Sequence, residues 1–299
     1  MAQVSPPFAE LLGLLLQTLL YGMYIVLFIV SMYFLVGIDS RKPWTGTMGT
    51  SRLLVTVANV VLFANITTQW VIEVARIFKG FFGQGSTLDG PLVYFISLSD
   101  SLDVARIGVY VVEAGICDFI MIYRLWQLWG RCWRITTIPL CTYAGTLASG
   151  AMFLYHMHGL RPGQYFTSPC APWLGAGLTA NVATNVFCSV FISYKVWSIH
   201  RSLEQVSTCL HSTIALRVVT TIIESAVLFT ISGIAMTISF FCRSYVVFTC
   251  ISFAAPLSGL AYCLIIVQFG IGEIFRATEV ALPTMSLRSG AASQAAADR

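Results

Sequence analysis

The run AELLGLLLQTLLYGMYIVLFIVSMYFLV, residues 9–36, decides the fold. A helix needs about 20 predominantly apolar residues, at ~1.5 Å rise each, to cross the hydrocarbon of a bilayer. This stretch exceeds that length. It is also too long for the apolar core of a cleavable signal peptide, and the first ten residues hold no Lys or Arg. A first spanning helix, kept in the mature chain, is the expectation.

Six more segments of the same kind follow, at about 53–78, 104–129, 135–157, 173–197, 215–241 and 245–269. The second and third contain ionisable residues, and the gap after Phe241 permits only a tight hairpin. The fold class expected is all-α, a seven-transmembrane-helix bundle over residues 1–272. A polar cytosolic tail, rich in Ala and Ser and read as disordered, follows over 273–299. Composition agrees, with 57% hydrophobic residues, 10% charged and a mean hydropathy of +0.79. A soluble domain carries about 25% charged residues. The net charge of +4 is modest and falls in short loops, so it speaks to orientation and not to nucleic acid.

Lys and Arg concentrate on one side of this scheme. Arg41, Lys42, Arg52, Arg124, Arg131, Arg134, Lys195, Arg201, Arg217, Arg276, Arg288 and Arg299 fall there, against Arg76, Lys79, Arg106, Arg161 and Arg243 opposite. The basic side is cytosolic. An odd helix count then leaves the N-terminus outside and the C-terminus in the cytosol. Trp126, Trp129, Trp133 and Trp197 cluster at the inner ends and Trp173 at an outer one, the level that suits an indole.

Ionisable groups inside a bilayer are costly, which makes each a candidate for function. The second helix presents Asn65, Gln69, Glu73 and Arg76 on one face. The third presents Asp103, Arg106, Tyr110, Glu113 and Cys117 on one face, with Asp118 about a hundred degrees round. Facing stripes would line a polar cleft open to the outside, with Glu73 pairing Arg106 or Glu113 pairing Arg76. The ligand-binding candidates are Glu73, Arg106, Tyr110, Glu113 and Asp118. The plainer alternative is interhelical glue. On the inner side, Arg124 and Glu224 are within reach of a bridge that would act as a switch, with snorkelling of Arg124 as the alternative. Asn181 and Asn185 read as packing contacts, and Pro256 with its small neighbours as a kink.

None of the nine cysteines forms a CxxC pair or a metal-ligand spacing. Cys170 and Cys242 are the two placed to meet an oxidising compartment, as a disulfide or as separate helix-end thiols. The sequon Asn65-Ile66-Thr67 lies mid-membrane. His156, His158, His200 and His211 all fall at helix ends or in loops, unlike the intramembrane ligands of a zinc hydrolase. The seventh helix has no lysine for a retinal Schiff base, and helices one, four and seven carry few polar groups. No enzyme activity, cofactor or metal is expected.

Several strings are distinctive as a set. They are Ile122-Tyr123-Arg124-Leu125-Trp126 with Leu128-Trp129-Gly130-Arg131, Tyr94–Val104, and Tyr194-Lys195-Val196-Trp197. Ile223-Glu224-Ser225-Ala226, Ala255-Pro256-Leu257 and Ile265–Gly270 complete it. Over about residues 12–272 the chain resembles a large family of fungal seven-helix membrane proteins, chiefly of mushroom-forming fungi. That family has no assigned activity. The resemblance implies the seven-helix topology and a loose likeness to G-protein-coupled receptors. Departures are plain, since Tyr123-Arg124 stands where common receptors place an Asp/Glu-Arg-Tyr triplet. The seventh helix lacks Asn-Pro-x-x-Tyr, and no cysteine begins the third.

Three readings follow. The first is a receptor-like sensor of a small molecule or lipid, signalling to a cytosolic partner through its inner loops from the plasma membrane. The second is a transporter or channel in which Glu113, Asp118 and Glu224 relay a cation or proton. The third is a membrane protein in which these groups serve packing alone.

Overall fold

The computed structural model describes residues 6–37, 47–82, 94–95, 101–157, 169–204 and 227–268. The described residues are overwhelmingly helical and contain no strand. Seven long helices run in order: α1 (Pro6–Gly37), α2 (Thr47–Phe82), α3 (Ser101–Leu128), α4 (Trp133–Met157), α5 (Ala171–Glu204), α6 (Val227–Phe241) and α7 (Val246–Gln268). In hydrocarbon every backbone polar group must be bonded within its own segment, and a helix does this residue by residue. A described helix falls in each of the seven expected segments, with α2 and α5 longer than their apolar cores by several residues at their ends. The 215–226 part of the expected sixth span lies outside the described residues.

Five helices are long and apolar enough to cross a membrane by length and composition alone, namely α1, α2, α4, α5 and α7. α3 carries Asp103, Arg106, Glu113, Asp118 and Arg124, which take it past any such threshold. The outward faces are greasy, as Leu15, Leu19, Tyr33, Phe82, Tyr155 and Val190 illustrate. A bundle that hides its charges and displays its hydrocarbon is built as a multi-pass membrane protein.

Two tight turns close helix pairs. After α3 the amide of Arg131 bonds Trp126 O at 2.9 Å and that of Gly130 bonds Gln127 O at 3.2 Å, with Gly130 at φ +62°. After α6 the same pattern recurs, Ser244 N to Ser239 O and Arg243 N to Phe240 O, but the left-handed position belongs to Arg243 at φ 52°. Both are Schellman-type caps, and the second confirms the tight α6–α7 hairpin read from the sequence.

α7 is the axle of the bundle. Of its most apolar stretch 72% is buried, against 11% for α1. Its Phe248 and Ile251 pack with Phe153, Met157, Leu178 and Met236, and its Leu260 and Cys263 pack with Tyr21, Tyr24 and Ile66. Pro256 lies within the continuous helix. Gly259 permits a close approach, because a Cβ there would fall 2.6 Å from the Tyr24 ring and 2.7 Å from Ile66 Cδ1. We term the end at which α1 begins proximal and the other distal. At the distal end Arg131 stacks on Trp126, Lys195 on Trp129 and Arg201 on Trp197, at 5.2–5.4 Å.

Candidate functional site

The polar stripes of α2 and α3 do face each other, but at the proximal end they close on themselves. Arg76 Nη1 lies 3.1 Å from Glu73 Oε2, one turn away on the same helix. Its Nη2 reaches Glu10 Oε1 at 3.4 Å and contacts Asp103. Arg106 Nη1 lies 3.1 Å from both Glu73 Oε1 and Glu10 Oε2. Ser252 of α7 donates to Glu73 Oε1 at 3.0 Å, and the Arg106 guanidinium sits 5.5 Å from the Phe248 ring centroid. All five ionisable groups are at most 2% exposed. The cluster joins α1, α2, α3 and α7, with one more acid than arginine.

The expected Glu73–Arg106 pair is therefore present, and Arg76 is not with Glu113. Glu113 lies seven residues beyond Arg106, about 10 Å further along α3 at ~1.5 Å per residue. Glu10 was missed in the sequence because a single acid at the head of an apolar run reads as terminal. Its signal was position, since the first turn of α1 stands level with Arg76 once α1 and α2 pack antiparallel.

The other candidates bond to partners outside the cluster, each on a different neighbouring helix. Tyr110 turns toward α6, its hydroxyl 3.5 Å from Met236 Sδ. Glu113 faces α7, where Ser258 donates to Oε1 at 2.7 Å. Asp118 faces α5, where Asn181 Nδ2 donates to both carboxyl oxygens at 3.1–3.2 Å and Asn185 Nδ2 to Oδ1 at 3.3 Å. Five residues on a helix turn through about 500°, so the two carboxyls leave α3 on different faces. The structure thus replaces one expected pocket with three sites along one helix. Asn181 and Asn185 tie α5 to α3, as packing contacts do, through a carboxyl. Among the described residues, no cation pairs with Glu113 or Asp118.

Arg124, half-buried at the distal end, lies 4.9 Å from the Tyr262 ring centroid, and the Tyr262 hydroxyl donates to Val55 O at 3.1 Å. Glu224 lies outside the described residues, and with it the expected bridge. The Cys170–Cys242 disulfide is not formed. Cys170 is buried in the cluster containing Phe153 and Met157, while Cys242 is a free, exposed thiol on the α6–α7 turn.

Surface grooves among the described residues include two between helices. One, of about 740 Å³, lies among α2, α3 and α4 and is lined by side chains such as Leu53, Val57, Val112, Ile116, Phe119 and Leu147. The other, of about 880 Å³, runs between α5 and the α6–α7 turn and includes Thr179, Phe240 and Arg243. Neither is lined by a candidate carboxyl, and the first is hydrocarbon almost throughout. No family model matches the chain, and neither a curated protein nor a solved structure matches it.

Proposed function

We propose that the chain is a receptor-like sensor within a membrane, which answers a small molecule or lipid by shifting α3 against α5 and α7. The observation that carries this reading is the state of Glu113 and Asp118. Both are fully buried in mid-helix, and both are held only by neutral donors on different neighbouring helices. An uncompensated carboxyl in hydrocarbon is costly, and such groups serve ligands, ions or protons. Positive charge delivered to one side of α3 would strengthen its hold on one neighbour and not the other. A differential interaction of that kind is what a two-state element needs. The complementary ligand is a lipophilic amine, with an apolar body that enters from the bilayer.

In this reading the N-terminus lies outside and the C-terminus in the cytosol, with the chain in the plasma membrane. The Trp- and Arg-rich distal end, including Arg124 beside Tyr262, then faces a cytosolic signalling partner. No catalysis is part of the proposal. The resemblance to the fungal seven-helix family supports the topology.

The test is a thermal-shift screen of the purified full-length protein against lipophilic amines. A binder should raise the melting temperature of the native chain but not of the Glu113→Gln/Asp118→Asn double variant. A panel without binders, or one that stabilises both proteins equally, sinks the reading. A second reading, passage of a cation or proton, is favoured by the buried polar side chains of α1. In proteoliposomes it requires a flux that Glu113→Gln abolishes.

A further inference from the structure

α1 carries a polar pattern that the ion cluster does not exhaust. Glu10, Gln17, Tyr24 and Ser31 recur every seven residues and are at most 2% exposed. Seven residues is just under two turns, so the four share one face. At ~1.5 Å per residue the row extends about 31 Å, the thickness of a bilayer's hydrocarbon core.

Contacts with α2 set the depth of each level. Arg76 meets Glu10, Trp70 Nε1 donates to Thr18 Oγ1 at 3.1 Å, the Tyr21 and Thr67 hydroxyls bond at 2.9 Å, and Asn59 Nδ2 donates to Ser31 Oγ at 2.9 Å. In that register Gln69 stands level with Gln17. α3 and α7 complete the ladder, with Ser258 bonded to Glu113, Tyr24 over Gly259, and Cys263 Sγ 3.5 Å from Asn59 Oδ1. The levels from proximal to distal are the ion cluster, then Gln17 with Gln69, then Tyr24 with Glu113 and Ser258, then Ser31 with Asn59 and Cys263.

The first level is closed by ion pairs and the last by hydrogen bonds, whereas the two between leave polar groups over beside the Ser258–Glu113 bond. Both amide atoms of Gln17 and of Gln69, the Tyr24 hydroxyl and Glu113 Oε2 are buried with no hydrogen-bond partner among the described residues. Buried polar groups in folded proteins are bonded to protein or to ordered water, and a buried water typically makes about three such bonds. Amide donors and acceptors, a hydroxyl and a carboxyl oxygen on adjoining levels are the partners a water cluster requires.

We propose that the α1–α2–α3–α7 seam holds a file of internal waters between the ion cluster and Asn59, bound by Gln17, Gln69, Tyr24 and Glu113. The ion cluster closes its proximal end. The file hydrates Glu113 at the centre of the bundle. It needs no ligand, and it shares only Glu113 with the sensor reading, which the test below does not touch.

Millisecond hydroxyl-radical labelling of the full-length protein in nanodiscs, read by mass spectrometry, tests this. Radicals formed in a water held against a side chain oxidise it without bulk exposure. Tyr24 and Phe153 are both at most 1% exposed, and only Tyr24 borders the file. Tyr24 should be oxidised faster than Phe153, by more than the intrinsic difference between a phenol and a phenyl ring, as expected for contact with bound water. The Gln17→Leu/Gln69→Leu variant should slow Tyr24 oxidation toward the Phe153 rate, with exposed Tyr155 unchanged as the control for folding. A difference between Tyr24 and Phe153 in the native chain no larger than that intrinsic one would overturn the proposal, because the seam is then dry. Unchanged Tyr24 oxidation in a folded double variant would overturn it too, because the amides then hold no water.

Discussion

The proximal ion cluster and the middle of α3 are equally buried, yet they treat charge in opposite ways. At the proximal end Glu10, Glu73 and Asp103 share Arg76 and Arg106, so each charge removed from water meets an opposite one within about a turn of helix. In mid-α3, Glu113 and Asp118 receive only a serine and two asparagines. Buried pairs recover much of their desolvation cost through mutual attraction, and the geometry becomes rigid because no member can leave alone. Carboxyls held by neutral donors retain a deficit that a cation or a proton can relieve. The first arrangement holds helices together, and the second leaves an interaction open. For this reason the functional reading moves from the expected α2–α3 cleft to Glu113 and Asp118.

The comparison breaks most sharply at the arginines. Arg106→Leu strands Glu10 and Glu73 beside a single cation and should cost about 3–5 kcal/mol, read as unfolding in a detergent titration. A loss below 1 kcal/mol would mean that the cluster is not the fastening described. Ser258→Ala removes the only bonded partner of Glu113 among the described residues and should cost about 1.5–3 kcal/mol, by the same titration. Ser252→Ala, by contrast, leaves Glu73 with two arginines and should cost less. Equal losses at the two serines would erase the distinction between compensated and uncompensated acids. Asn181→Leu should cost about 1–3 kcal/mol, most of it recovered when Asp118→Asn is added, a coupling that a double-mutant cycle measures. The smallest effect is expected for Glu113→Gln, which keeps a group for Ser258 to bond and removes the buried charge. It should stay within about 1 kcal/mol of the native chain or stabilise it. If it destabilises as much as Arg106→Leu, Glu113 belongs to a structural charge network and not to an open site.

How far the site could be read in advance varied with the kind of contact. Glu73 and Arg106 were legible because two amphipathic stripes on adjacent apolar helices have few places to bury charge. Glu10 and the serines of α7 were not, because a lone polar residue in a greasy helix shows its facing only after the helix is packed. The Gln17, Tyr24 and Ser31 row was legible in principle, since its spacing of seven is visible in residues 9–36. Its meaning depends on finding that this spacing points inward on a helix whose other faces are exposed. The pocket expected from Tyr110, Glu113 and Asp118 together came apart for a geometric reason. The five-residue step from Glu113 to Asp118 turns the two carboxyls toward different neighbours, while Tyr110 shares the face of Glu113 and spends its hydroxyl on Met236.

By itself, the amino-acid sequence determined that the chain forms long apolar helices, roughly where each begins and ends, and that α6 and α7 meet in a tight turn. These follow from local quantities, the length of an apolar run and the need to satisfy every backbone hydrogen bond within it. Only the tertiary structure decided which helix lies at the centre, which acids find arginines and which find amides. A helix interior is chosen by packing, as Gly259 beneath Tyr24 illustrates, and the partners of a buried charge by which faces that packing brings together. Those are properties of pairs of helices, and no single run of residues contains them.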